Sequence, residues 1–457
     1  MGRVEATPSF SGRITATDDP VIVLTKAMIA GAPRDVLSLA QGIVHWQPPE
    51  MALESGRELF ATPAAHQYGP DEGMPALREA LAGKLAAENG LPDHDVMVTA
   101  GANQAYANAV LALVDAGDRA VLFAPYYFNH HMALTMTGAD VVLGPRDPAT
   151  MVTAPGLGPG GPRARPRPRA RRPPRRGRPR DGDREPPPAR PPGPAPQHPD
   201  LDWLERELLG SADPPRLVTI VNPCNPTGTL LSRGECERAA RLCAAAGAWL
   251  VVDNTYEHFA YPDDAGVPRR HHCVAGDHVV HVFSFSKAFG MMGWRCGYLA
   301  YPRGGAGRLG RELLKAQDTI PICPPQVSQA VALGAVRAGR GWVEGMVRGL
   351  GANRRAVLDA LSPLGAPGDG VYGGEGAIYL WARLPPGCEA LDLAVARWLV
   401  DVHGVCVIPG SACGSPGHVR VAYANLPPDQ CAAAAARLRA GLEELRDRGA
   451  PAVAGFA

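Results

Sequence analysis

Lysine is scarce in this chain of 457 residues: of its 46 basic side chains only four are lysine, at Lys26, Lys84, Lys287 and Lys315. Where positive charge alone is needed, the chain uses arginine. A lysine in a motif-like setting is therefore marked out for amine chemistry, which a permanently protonated guanidinium does not perform. Also missing is any run of eighteen or more apolar residues, which excludes a transmembrane helix. The N-terminal stretch MGRVEATPSFSGRITATDD has no apolar core of the signal-peptide kind. The ten cysteines form no CxxC pair and no zinc-type spacing, so no metal site is expected and a cytoplasmic protein with reduced thiols is. A net charge of only +1 calls for no anionic polymer, and neither nucleic acid nor a membrane is an expected partner.

What is present reads as an α/β fold. The length exceeds one small core and suits a large domain plus a smaller one. Strand-like runs at 96–100, 119–124, 141–144, 217–221, 248–253, 278–284 and 297–301 alternate with helical patterns. Several runs are apolar throughout, as in a largely parallel sheet covered on both faces. PALREALAGKLAAENG (75–90) is a helix opened by Pro75 and closed by Gly90. After about residue 302 the texture changes. Helical patterns at 306–318, 325–338 and 342–361 lead to a strand at 377–384, a helix at 390–403, two short strands near VCVIP and VRVAY, and a last helix at 428–447.

Residues 151–197 fit neither pattern. Gly, Pro, Arg and Ala dominate, with twelve Arg against three acidic side chains. Such a segment lacks the apolar side chains to offset chain entropy and is expected to be a disordered insert. Two other readings stay open: a basic arm for acidic surfaces, and translation of GC-rich DNA in a wrong frame.

Five motifs carry chemistry. In SFSKAFGMMGWRCGY (284–298), Ser284, Ser286 and Arg295 surround Lys287, an amine set among phosphate-binding groups. That combination is what pyridoxal phosphate requires: a lysine to hold the aldehyde as an imine and to move protons at the substrate Cα. VVDNTYEHF places Asp253 at a strand end, where it would keep a pyridinium nitrogen protonated, or would cap a following helix; Tyr256 would bond the ring oxygen. NPCNPTG (222–228) offers Asn225 to the same oxygen. TAGANQAY bends at Gly101 and presents the N–H groups of Ala102 and Asn103 at a helix start, a phosphate site. APYYFNH offers Tyr126 and Tyr127 for stacking on a ring. Tyr68 in a glycine-rich loop, Arg420 on a C-terminal strand as a carboxylate clamp, and Trp46, Tyr379 and Trp381, as a hydrophobic wall or simply as core residues, complete the candidates.

Together these residues resemble the class I/II aminotransferases of fold type I, most closely the plant-type aromatic aminotransferases, from about Ser38 to Leu442 apart from 151–197. The resemblance implies a mostly parallel seven-stranded sheet with helices on both faces plus a smaller α+β domain. It implies residues 46–302 as the cofactor-binding domain, 303–457 as the small domain, and 1–45 as an N-terminal arm belonging to the latter. It implies pyridoxal 5'-phosphate anchored on Lys287, with Asp253 on the ring nitrogen and Asn225 and Tyr256 on its oxygen. Tyr127 would stack on the ring, and Gly101, Ala102, Asn103, Ser284, Ser286 and Arg295 would hold the phosphate. Tyr68 would reach the phosphate of the other subunit in a homodimer. Gly42, Asn225 and Arg420 would meet the substrate. The implied reaction moves an amino group between an L-amino acid, aromatic or methionine-like, and a 2-oxo acid. A pyridoxal-phosphate lyase on the same fold is the alternative; a non-enzymatic regulator would need a helix-turn-helix domain, and the N-terminal residues show none.

Overall fold

The computed structural model describes residues 9–146, 198–263, 265–304 and 308–456. The readings of 151–197 lie outside the described residues.

All seven strands read from apolar runs form one sheet: β1 His94–Thr99, β2 Arg119–Ala124, β3 Asp140–Pro145, β4 Leu217–Val221, β5 Trp249–Asp253, β6 Val279–Ser284 and β7 Gly297–Pro302. Their order is β1-β7-β6-β5-β4-β2-β3. Only β7 runs antiparallel to its neighbours, β1 and β6. Successive residues of one strand enter different cores. Ala120 and Leu122 pack with the helix Ala102–Leu113, while Val121 and Phe123 pack with the helix Arg233–Ala246. Burial on both faces is why these strands lack polar alternation. The Arg233–Ala246 helix starts at a capping box: Ser232 accepts from the Glu235 N–H, and the Glu235 carboxylate accepts from the Ser232 N–H.

The C-terminal part builds a second sheet from β8 Ala366–Pro367, β9 Gly370–Gly373, β10 Tyr379–Arg383, β11 Ile408–Pro409 and β12 His418–Ala422, in the order β11-β12-β10-β9-β8. Leu37–Ser38 pairs in parallel with Val405–Cys406, which stitches the N-terminal segment to this half. The boundary between the helical patterns at 325–338 and 342–361 falls at a glycine. A helix Gln326–Gly349 is interrupted at Gly339, whose φ of 79° is non-helical, and Gly351–Ala360 follows. Among the described residues no helix is long and apolar enough to cross a membrane.

The described flanks of the 151–197 segment lie side by side. The Asp200 N–H donates to the Pro145 carbonyl at 3.0 Å, at the carboxyl end of the edge strand β3. Arg146 Nε donates to the Pro125 carbonyl at 3.0 Å.

Candidate active site

In an open α/β sheet, ligands sit beyond the carboxyl ends of the parallel strands. The motifs arrive there from β1 (Gly101 to Asn103), β2 (Tyr127), β4 (Asn225), β5 (Asp253, Tyr256) and β6 (Ser284 to Lys287). With Arg295, with Gly42 from the N-terminal segment and with Arg420 from the second sheet, they line one cavity of about 280 Å³; Gly101 shapes it from behind. That volume is near the lower end of small-molecule sites, about 300 Å³.

Asp253 is 4% exposed. One carboxylate oxygen accepts from the Thr255 N–H at 2.9 Å and the other lies 3.1 Å from His130 Nε2. Burial alone would raise its pKa, but the hydrogen bond and charge of His130 prevail and hold it below the ordinary carboxylate range. Asp253 thus ends a strand and binds a turn; no helix follows for it to cap. Lys287 is half-buried on the turn after β6. Burial first, then the charge of Arg295, lowers its pKa to about 8, with Asp253 opposing.

Arg420 is 1% exposed on β12. Its Nη1 donates to Asn225 Oδ1 at 2.8 Å and its Nη2 to the Ala40 carbonyl at 2.9 Å, while Nε has no partner. With its carbonyl oxygen so occupied, Asn225 keeps its amide N–H to offer the cavity. The loop carrying Asn225 is pressed against β10. Gly228 has φ 71°, and a Cβ there would lie 2.1 Å from the Tyr379 carbonyl oxygen.

At the opposite corner, Gly101 has φ 84°, and a Cβ on it would lie 2.3 Å from Arg295 Nη2. Arg295 is itself left-handed (φ 50°) and donates to the Met292 carbonyl at 2.9 Å. The missing Cβ, the helix start at Ala102, two serines and a guanidinium make a cradle for a phosphate. Together with the amine of Lys287, the buried acid Asp253 and the unpartnered Nε of Arg420, this donor set fits pyridoxal phosphate and an amino-acid carboxylate.

Tyr127 lines the cavity and receives Asn129 Nδ2 on its hydroxyl at 2.8 Å; burial raises its pKa to about 12. Tyr126 instead stacks on His131, with ring centroids 4.9 Å apart. Tyr68 is not brought to this cavity. It is 79% exposed and lies beside Pro321, Cys323 and Gln326. Of the three aromatic candidates left open between wall and core, two are core residues. Trp46 packs on Phe259 and Trp381 on His418, both in the core, and only Tyr379 reaches the cavity. Sequence reasoning missed His130, whose partner is 123 residues away, and the apolar lining residues Ile22, Ile43, Phe128 and Met292.

The profile of the family described as aminotransferase class I and II matches residues 34–153 and 191–438, both sides of the Arg/Pro-rich segment. The chain is 46% identical to the aromatic aminotransferase ISS1 of Arabidopsis thaliana over 441 residues, covering 96% of this chain and 98% of that protein. It is 26% identical to an aspartate aminotransferase of Pyrococcus abyssi, covering 87% and 89%. Among solved structures, the aspartate aminotransferase of Thermus thermophilus with maleate matches with a TM-score of 0.75 at 25% identity, covering 95% of this chain and 100% of that one. The sheet, the gathered motifs and these likenesses agree: the chain belongs to the class I and II aminotransferases, pyridoxal-phosphate-dependent transaminases of fold type I.

Proposed function

We propose that the enzyme exchanges amino groups between an L-amino acid with an aromatic or methionine-like side chain and a 2-oxo acid. The observation that carries the side-chain preference is the apolar lining of the cavity: Ile22, Ile43, Met292, and the rings of Phe128 and Tyr379 beside Arg420. The other lining arginine, Arg295, is engaged at the Gly101 corner. A second substrate carboxylate would meet no further arginine or lysine among the described lining residues except Lys287. The 46% identity to the Arabidopsis aromatic aminotransferase points the same way.

When bound, pyridoxal phosphate supplies an aldehyde for the amino group and a protonated ring that draws electrons from the substrate Cα. In this reading Asp253, kept ionised by His130, holds the proton on the ring nitrogen. The amide of Asn225 and the phenol of Tyr256 donate to the ring oxygen. Tyr127 stacks on the ring, and the N–H groups of Ala102 and Asn103 with Ser284, Ser286 and Arg295 hold the phosphate. Arg420 orients the substrate carboxylate, and Gly42 leaves the space beside it open. Lys287 would hold the cofactor by its aldehyde and, as a free amine, would take up and return the proton at the substrate Cα. Its pKa of about 8 keeps a usable fraction of neutral amine near neutral pH.

The exposed Tyr68 would complete the phosphate site of a second copy of the chain, which makes the enzyme a homodimer. We read 46–302 as the cofactor-binding domain and 303–457 with 1–45 as the small domain, a division the Leu37–Ser38 ladder supports. The described cysteines are all free, in keeping with a cytoplasmic enzyme. The test is a panel of amino acids with product identification. Phenylalanine, tyrosine, tryptophan or methionine should exceed aspartate in kcat/KM by about tenfold or more and yield the 2-oxo acid. Preference for aspartate, or an elimination product, would contradict the reading.

A further inference from the structure

Two of the groups assigned above, Tyr256 after β5 of the large sheet and Arg420 on β12 of the second sheet, come from different sheets, and one side chain touches both. Tyr379 opens β10. It lies two residues before Trp381, which stands directly opposite Arg420 on β12. Residues two apart share a strand face, so Tyr379 and Arg420 project on the same side and meet diagonally. The Arg420 guanidinium sits 4.4 Å from the centre of the Tyr379 ring. The Tyr379 hydroxyl lies 2.5 Å from the Tyr256 hydroxyl, and the two rings meet edge to face at 77°. Tyr379 is 1% exposed, and a Cβ on Gly42 would fall 1.8 Å from its hydroxyl oxygen. The hydroxyl is thus enclosed, with the Tyr256 hydroxyl as its hydrogen-bond partner.

A pair of phenols has two protons and one bond between them. Whichever phenol donates within the pair has no proton left to give elsewhere. If Tyr256 is to donate to the cofactor's ring oxygen, as the proposed function requires, Tyr379 must be the donor inside the pair. Burial keeps both phenols protonated through the working pH range, so both protons are present. Accepting a hydrogen bond strengthens Tyr256 as an outward donor. The charged groups around the pair are Arg420, Asp253 and Lys287; of these only Arg420 lies over the Tyr379 ring, where a cation is attracted by the ring face.

We infer that Tyr379 is a positioning residue of the transamination site: its hydroxyl fixes the direction of the Tyr256 proton, and its ring carries the guanidinium of Arg420. The inference rests on the cofactor reading above, and the test separates the two. Pyridoxal-phosphate-loaded enzyme is titrated with pH while its visible absorption is followed. The wild type should show a band with a pH midpoint set by how well the ring oxygen is stabilised. Tyr379→Phe removes only the hydroxyl. It should raise that midpoint by roughly 0.3–1 unit, the cooperative share of one hydrogen bond, and change KM for the amino acid by less than about twofold. Tyr379→Leu also removes the ring, and should add a rise in KM on the order of tenfold. In a Tyr256→Phe background, Tyr379→Phe should add no further shift. Gly42→Ala, which crowds the hydroxyl without altering Tyr379, should raise the midpoint as Tyr379→Phe does. An unmoved midpoint in folded Tyr379→Phe or Gly42→Ala, or an undiminished shift in the Tyr256→Phe background, would overturn the inference alone. A wild type with no pH-dependent band would overturn the cofactor reading with it.

Discussion

Replacing Gly101 with alanine disturbs the phosphate corner without removing a single functional group. The added Cβ would stand 2.3 Å from Arg295 Nη2 and 2.9 Å from its central carbon. Contacts between such atoms settle near about 3.5 Å, so the guanidinium must withdraw by roughly 1 Å. It is not free to do so, because Arg295 is held at φ 50° and donates to the Met292 carbonyl. Gly101 itself has φ 84°, where a side chain costs about 1–3 kcal/mol of backbone strain. Loss of one charged hydrogen bond to phosphate costs about 1.5–3 kcal/mol more. Taken at about 1.4 kcal/mol per decade, the lost contact alone weakens cofactor binding by roughly 10–100-fold. The assay titrates apoenzyme in parallel with pyridoxal phosphate and with pyridoxal, which lacks the phosphate. Kd for the phosphorylated form should rise in that range, while pyridoxal binding changes by less than about threefold. An unchanged Kd, or equal losses for both ligands, would refute the assignment of Gly101, Ala102 and Arg295 to the phosphate.

Three further outcomes are expected. His130→Phe removes the group that keeps Asp253 ionised, so kcat should fall by roughly 10–100-fold and the acid limb of its pH profile should move up; a profile of unchanged shape would show that Asp253 does not need it. His198 lies 2.6 Å from Glu235 and 3.9 Å from Glu375. Burial would lower its pKa, but the two carboxylates raise it to about 9; burial would raise that of Glu235, but His198 and Ser232 hold it near about 2. The raised histidine stabilises the fold fully below pH 6.5 and loses its effect as pH rises through about 9; the lowered Glu235 contributes above pH 4.5 and fades as pH falls through about 2. His198→Ala should therefore cost most, about 2 kcal/mol by thermal melting, between pH 4.5 and 6.5, and least near about pH 10; a loss independent of pH would contradict this. Because Asp200 N–H and the Pro145 carbonyl already meet at 3.0 Å, replacing 151–197 by a short glycine linker should leave Tm and kcat near the parent values; loss of the folded enzyme would show that the segment contributes to the fold.

The strands were legible because β2, β4, β5 and β6 are buried on both faces and so read as largely apolar runs, broken inside only by Thr219 in β4 and His281 in β6. The Lys287, Asp253, Asn225 and Gly101 motifs were legible for a related reason: each is a local strand-to-turn unit whose chemistry is written in consecutive residues. His130 was not, because its neighbour His131 has the same local setting and turns instead to Asp18 and Tyr126. Only the crossing of the helix Phe128–Thr137 over the end of β5 separates the two. For Trp46, Tyr379 and Trp381 the sequence left wall and core both open, because a large ring near a motif serves either equally well until the strand face is known. Ile22 comes from the helix Val21–Ala30, far from every motif, and nothing in its own segment marks it.

The central claim is that Lys287 is the amine that holds the cofactor, and the scarcity of lysine makes it directly measurable. Holoenzyme reduced with borohydride fixes the cofactor to whichever lysine carries it, and peptide mapping then locates the adduct. The account predicts modification of the peptide containing Lys287 alone, with Lys287→Arg abolishing both the adduct and the visible absorption. An adduct on Lys26, Lys84 or Lys315, or a Lys287→Arg enzyme that keeps the absorption, would contradict it.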